Sequence, residues 1–210
     1  METLLLTVLS LGIAYFLGAI PTGYWCGKWL KGIDIREHGS KNMGATNVFR
    51  VLGKGPGVAV LIIDILKGII PVTVITDALG LNDPLVLVLT GIAAVAGHNW
   101  TIFLGFKGGK GVATSLGVLI GLAIEIPGIR LAIVLTVGVW LVLFLVFAYV
   151  SLASLSAAVA LPILMVVFNA PFSVTAMSML LCVFIVLRHR PNISRLIKGQ
   201  ENRIKLPFHK

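Results

Sequence analysis

Three polar segments interrupt an otherwise apolar chain, and each carries residue types suited to anionic substrates. The first is His38-Gly39-Ser40-Lys41-Asn42-Met43-Gly44-Ala45-Thr46-Asn47-Val48-Phe49-Arg50. Its glycines free the backbone to fold back and present N–H groups. Ser40, Asn42, Thr46 and Asn47 add uncharged hydrogen-bonding groups, and Arg50 adds a guanidinium fork matched to phosphate. The second is Gly105-Phe106-Lys107-Gly108-Gly109-Lys110-Gly111-Val112-Ala113-Thr114-Ser115, a lysine-bearing glycine loop that runs into an apolar stretch. Such a loop can aim successive amides, a helix N-terminus and the Lys107 and Lys110 ammonium groups at one anion. Gly111 stands where a nucleotide-binding P-loop needs Ser or Thr, so phosphate binding fits this segment and nucleotide hydrolysis does not. The third runs from Arg188 to Asn202, with Ile193, Leu196 and Ile197 at helical spacing and Arg195 and Lys198 between them. That pattern predicts a short helix lying in a membrane interface, and His189 beside it suits a base or an orienting donor. Each segment also has a plainer reading: a solvated turn, a flexible glycine hinge with anchoring lysines, and a cationic membrane anchor.

The elements that must position these segments are set by composition. Of 210 residues 58% are hydrophobic and 12% charged, with a mean hydropathy of +1.02, which excludes an ordinary soluble domain. Apolar runs at about 1–24, 58–79, 85–105, 112–126, 131–149, 152–168 and 172–188 approach bilayer-crossing length and are parted by Pro- or Gly-bearing breaks. We therefore expect an all-α, polytopic integral membrane helical bundle of about seven spans, forming a single domain over 1–210. The fourth run is short and glycine-rich, so it can be a half-helix, leaving five or six full spans. No basic region precedes the first run and no small-residue cleavage site closes it, so it is expected to stay as a span. Alternation of spans puts 15 of the 17 Lys and Arg on one face, which predicts N-terminus out, C-terminus in and all three polar segments at the cytoplasmic face. The net charge of +9 is thereby explained without nucleic acid. Gly23/Gly27 and Gly117/Gly121 would allow close helix crossings. Asp64 and Lys67, three residues apart inside the second run, can pair on one helical face. Cys26 and Cys182 lie in apolar stretches without metal-ligand spacing, and no metal site or cofactor is indicated.

At these three segments the sequence resembles the bacterial membrane-embedded acyl-phosphate:glycerol-3-phosphate acyltransferase family. GSKNMGATNVFR looks like that family's first motif, GHNWTIFLGFKGGKGVATSLG like its second and HRPNISRLIKGQEN like its third, in order over nearly the whole chain. Trp100-Thr101 departs from the aromatic and proline expected there in many members. The resemblance implies transfer of a fatty acyl group from acyl phosphate to the 1-hydroxyl of glycerol 3-phosphate, giving lysophosphatidic acid in the first acylation step of phospholipid synthesis. It implies a multi-pass protein of the bacterial plasma (inner) membrane, working among membrane lipids, with the phosphate acyltransferase that makes acyl phosphate as a potential partner. Under it, Ser40, Arg50, Lys110, His189 and Asn192 become catalytic candidates. Asn42, Asn47, Lys107, Gly108, Gly109, Gly111, Thr114, Ser151 and Arg195 become candidates for substrate binding.

An acyl phosphate carries its own good leaving group, so positioning and oxyanion stabilisation suffice and no acyl-enzyme need form. None of His38, His98, His189 or His209 has an Asp five positions on, the arrangement of soluble-type acyl-CoA acyltransferases. Either His189 or the substrate's own phosphate is left as base. The competing reading is a transporter of a phosphorylated small molecule, which predicts gates toward both faces. The outward connections, such as Asn82-Asp83-Pro84 and Asn169-Ala170-Pro171, are short for a second gate.

Overall fold

The structure, a computed structural model, describes residues 1–204. Among the described residues the regular elements are helical, as expected, and no strand occurs. The chain divides into two compact units, Met1–Glu125 and Ile126–Lys210.

In the first unit, α1 (Glu2–Ala19) and α2 (Thr22–Lys31) are parted at Ile20-Pro21. Proline has no N–H to donate and disfavours helical angles in the residue before it, and Ile20 accordingly turns to ψ 115°. Gly32, at φ 66°, ends α2 in a left-handed cap closed on the carbonyls of Gly27 and Lys28. The first polar segment leads into α3 (Ala45–Leu52), and α4 (Lys54–Ile70) runs on through a π-turn at Pro71–Ile75 to Ala78. The widened turn absorbs the backbone donor that Pro71 lacks. α5 (Pro84–Asn99) starts where the Asp83 carboxylate accepts the Leu85 N–H at 2.7 Å, with Pro84 in a position that needs no donor. The second polar segment then enters α6 (Val112–Glu125).

Helix α1 packs on α5, and α4 on α6. A Cβ at Gly117 would overlap the Ile65 carbonyl and one at Gly68 the Thr114 carbonyl, so α4 and α6 touch backbone to backbone. This is the crossing anticipated from the spacing of Gly117. The interior holds small and polar groups, such as Ala14, Ala94 and the Ser10 and Thr90 hydroxyls bonded at 3.1 Å. Beside them lie buried Leu122, Val95 and Val118, while many other large apolar side chains point outward, with Leu4 and Leu5 about two-thirds exposed. An exterior this apolar is what a lipid surround selects.

In the second unit, α7 (Arg130–Phe147), α8 (Val150–Val167) and α9 (Phe172–Arg188) pack in succession, and Trp140 Nε1–H donates to Ser154 Oγ at 3.1 Å between α7 and α8. The third segment forms a short helix, as expected, α10 (Arg190–Ile197), which turns off α9 by 62° at His189 with Pro191 in its first turn.

Each of the seven apolar runs holds a helix, but five among the described residues are long and apolar enough to span, and a sixth results if α9 and α10 are taken as one bent span. α6 has 14 residues, roughly 21 Å of rise, short of a hydrocarbon core of about 30 Å.

Candidate active site

The first polar segment is organised around Asn47, which is 1% exposed on α3. Its Oδ1 accepts the Ser40 N–H at 2.8 Å, and its Nδ2 donates to the carbonyls of Ile35 and His38 at 3.0 Å and of Asn42 at 2.8 Å. Asn42 in turn closes a tight turn by accepting the Gly44 N–H at 2.8 Å. The side chain of Asn47 is thus spent on the loop backbone, while Arg50 stands one turn further along α3. Upstream, Asp34 accepts from the Arg36 N–H at 3.0 Å and holds its guanidinium by two oxygens, with Nη2 to Oδ2 at 2.7 Å. That bonding, strongest from the Arg36 side chain, holds the Asp34 carboxyl below the usual carboxylate range. The Arg36 guanidinium lies 5.0 Å from the Tyr24 ring centre. Asp34 and Arg36 escaped the sequence reading, although an Asp two residues before an Arg at a turn was a signal for such a clasp.

In the second segment, the N–H groups of Gly108 and Gly109 donate to the carbonyls of Asn99 at 3.2 Å and His98 at 3.0 Å. A Cβ on Gly108 would strike those carbonyls and one on Gly109 the His98 ring, so these two glycines seat the loop on the end of α5. Gly111, at φ 76°, takes the left-handed turn into α6, and its carbonyl accepts the Ser115 N–H at 2.7 Å. In that first turn the Thr114 and Ser115 hydroxyls are buried and have no hydrogen-bond partner in the structure. Lys107 is exposed and Lys110 half-buried. Thr101 donates its hydroxyl to the buried Ala19 carbonyl at 2.5 Å.

These two segments meet. A cleft of ≈ 370 Å³ has Asp34, Arg36, Glu37, Lys41, Asn42 and Met43 on one wall and Lys107 and Gly108 on the other. Of the anticipated site residues, Asn42, Lys107 and Gly108 line it; the Ser40 N–H is held by Asn47. Three cations against two carboxylates, one of them clasped by Arg36, make the cleft suited to a small anion.

The second unit gathers its own anticipated residues around one acid. Glu201 accepts from Ser151 Oγ at 2.9 Å, Asn192 Nδ2 at 2.6 Å and Arg195 Nε at 2.7 Å. Burial alone would raise its pKa, but these three donors outweigh that and hold the carboxyl below its ordinary value. Glu201 lies within the third segment without an anticipated role, and a single acid in a basic tail is the sequence signal that marks it. His189 is 3% exposed, with Nδ1 at 2.8 Å from the Ile185 carbonyl. A carbonyl can only accept, so Nδ1 carries the hydrogen and Nε2 is the basic nitrogen of the neutral ring. No cluster of three or more metal-ligating side chains occurs among the described residues.

Residues 8–199 match the family model described as glycerol-3-phosphate acyltransferase. A protein of that name from Fusobacterium nucleatum is 48% identical over 194 residues, covering 92% of this chain and 95% of the relative. One from Synechococcus sp. strain CC9902 is 43% identical over 201 residues, covering 96% of each. Among solved structures, the integral membrane glycerol 3-phosphate acyltransferase PlsY (YgiH) in its glycerol 3-phosphate form superposes with a TM-score of 0.84 at 41% identity, covering 98% of this chain and 96% of that one. Its lysophosphatidic acid form gives 0.82 at 42% identity, with 95% of each chain covered. With a family match over most of its length, relatives this similar and a fold shared with a solved member, the chain belongs to the glycerol-3-phosphate acyltransferase family and is an enzyme of the acyltransferase class.

Proposed function

We propose that the protein transfers a fatty acyl group from acyl phosphate to the 1-hydroxyl of glycerol 3-phosphate, releasing lysophosphatidic acid and phosphate at the cytoplasmic face of the bacterial plasma membrane. The observation that carries this reading is the cationic cleft in which the first and second polar segments meet. It has the size and charge for a compact phosphorylated acceptor. The solved relative, whose forms hold glycerol 3-phosphate and lysophosphatidic acid, supports the same acceptor and product.

In this reading Lys107, Lys110 and Arg50 compensate the charge of the acceptor's phosphate at the glycine loop, the buried Thr114 hydroxyl adds a donor beside it, and Gly108, Gly109 and Gly111 give the loop its shape. Ser40 and Asn42 orient the glycerol hydroxyls, and Asn47 keeps their loop in register. Attack of the 1-hydroxyl oxygen on the acyl carbonyl carbon forms the ester bond, the carbonyl–phosphate bond breaks, and phosphate leaves with the bonding pair. The hydroxyl proton passes to a base, either His189 through Nε2 or the substrate phosphate itself. Within the second unit, Asn192 is assigned to the oxyanion and Ser151 and Arg195 to the departing phosphate, roles that require these donors to turn from Glu201 to the substrate. Because phosphate is a good leaving group, stabilising the developing charge is the main catalytic demand.

The decisive experiment offers labelled glycerol 3-phosphate to the purified, detergent-solubilised protein with acyl phosphate or acyl-CoA in separate reactions. Lysophosphatidic acid from acyl phosphate alone is the expected result. Product from acyl-CoA would reassign the donor, and no product from either, in folded protein, would overturn the reading. His189→Ala is expected to lower turnover roughly 100-fold if His189 is the base; near-normal turnover transfers that role to the substrate phosphate.

A further inference from the structure

Beneath the glycine loop the first unit encloses a polar cluster that none of these roles uses. Asp64 and Lys67 are 2% and 5% exposed in the middle of α4, and Lys67 Nζ donates to Asp64 Oδ1 at 2.7 Å and to the Ile20 carbonyl at 2.5 Å. Thr22 Oγ1 donates to the same carboxylate oxygen at 3.2 Å, and His98 Nδ1 faces it at 3.9 Å. The other edge of the His98 ring, Nε2, fills the space a side chain on Gly109 would need. The backbone carbonyls of His98 and Asn99 take the N–H groups of Gly109 and Gly108. Gly68, next to Lys67, lies against the Thr114 carbonyl in the first turn of α6. One buried cluster therefore touches the end of α5, the two central glycines of the loop and the start of α6.

A plain fastener between helices has no need of charge, because a buried ion pair is at best about as stabilising as a well-packed apolar pair of the same volume. Charge inside a membrane helix marks a functional demand by default. We propose that Asp64, Lys67 and His98 are positioning residues for the glycine loop. Across 3.9 Å the Asp64 carboxylate of the ion pair sets the orientation of the His98 ring; the ring and its own carbonyl hold Gly109, and the neighbouring Asn99 carbonyl holds Gly108, at the height where Lys107 and Lys110 flank an anion. This rests on the glycine loop being the phosphate-holding element.

The test uses the full-length protein in detergent and two variants. Asp64→Asn combined with Lys67→Met removes both charges at once, so neither is left buried and unpaired; His98→Ala removes the ring. Three quantities are read: hydrogen exchange of the backbone over 105–112 without substrate, the thermal unfolding midpoint, and KM against kcat for glycerol 3-phosphate. In both variants loop exchange is expected to rise roughly tenfold or more, and KM to rise roughly tenfold with kcat changed less than about threefold, the scale of one or two hydrogen bonds. If the double variant does not fold, His98→Ala decides against His98→Gln, which is expected to restore part of the loop protection. Native loop exchange and native KM in His98→Ala overturn the role of His98, and the same result in a folded double variant reduces the ion pair to a fastener. Exchange is read without turnover, so failure of the proposed reaction would leave this result standing on its own.

Discussion

Asn47 and Glu201 play matching parts at the residue scale, each a single side chain that satisfies several loop or side-chain groups at once. Replacing Asn47 with Ala orphans the Ser40 N–H and the carbonyls of Ile35, His38 and Asn42, at a net cost of about 3 kcal/mol for several modest hydrogen bonds. Asn47→Asp, which keeps the acceptor but loses both donors, should fail almost as badly; a thermal melt and the initial rate check both. For Glu201 the sign of the pH effect follows from its lowered pKa. The folded state favours the carboxylate, so its stabilising contribution is whole at neutral pH. It fades as the pH falls below the ordinary glutamate range, about 4.3, through the lower folded value. Glu201→Gln should therefore lower the unfolding midpoint at pH 7 by an amount equivalent to roughly 2 kcal/mol and flatten its acid dependence. An unchanged acid slope would mean that the cluster around Ser151, Asn192 and Arg195 does not depend on charge.

Between elements, the α4–α6 crossing is the contact most sensitive to a single atom group. Gly117→Ala puts a methyl where the Ile65 carbonyl already sits, and such overpacking costs typically 1–3 kcal/mol. Because Gly68 and Thr114 share that crossing, the displacement also reaches the entry of the glycine loop, so KM for glycerol 3-phosphate should rise with the loss of stability. Gly12→Ala on α1 is the matched control: nothing lies within 4 Å of its added Cβ, so the variant should be neutral or stabilised by roughly 0.5–1 kcal/mol. Comparing the two melts separates the loss of a close crossing from the general effect of replacing a helical glycine.

For the whole molecule, the loop at 105–111 and the tail after α9 are expected to meet one face of the membrane and the 82–84 connection the other. Cysteines introduced at Phe106, Gln200 and Asp83, in a background with Cys26 and Cys182 replaced by Ser, test it with a membrane-impermeant thiol reagent on intact cells. Phe106 and Gln200 are exposed and suit the reagent, whereas Thr114 is fully buried and does not. Labelling is expected at position 83 only, and outward labelling at 106 or 200 would overturn a cytoplasmic site.

From the sequence alone, the helical class, the membrane setting, the apolar runs and the three polar segments were legible. Hydropathy and glycine or proline punctuation are local properties, and the bilayer demands that backbone groups be satisfied within each span. The pairing of Asp64 with Lys67 was also readable, because three residues on a helix return to one face. Contacts across long stretches of chain were not. That Asn47 turns inward to its own loop, that Glu201 draws Ser151, Asn192 and Arg195 together, and that His98 lies between an ion pair and Gly109 each depend on distances that spacing does not encode. The short, glycine-rich run of α6 already allowed a half-helix, whereas the docking of the glycine loop on His98 and Asn99 at its start is a tertiary fact. Tertiary packing decides these points because a polar side chain in a water-poor interior takes whichever partner the folded backbone brings within reach.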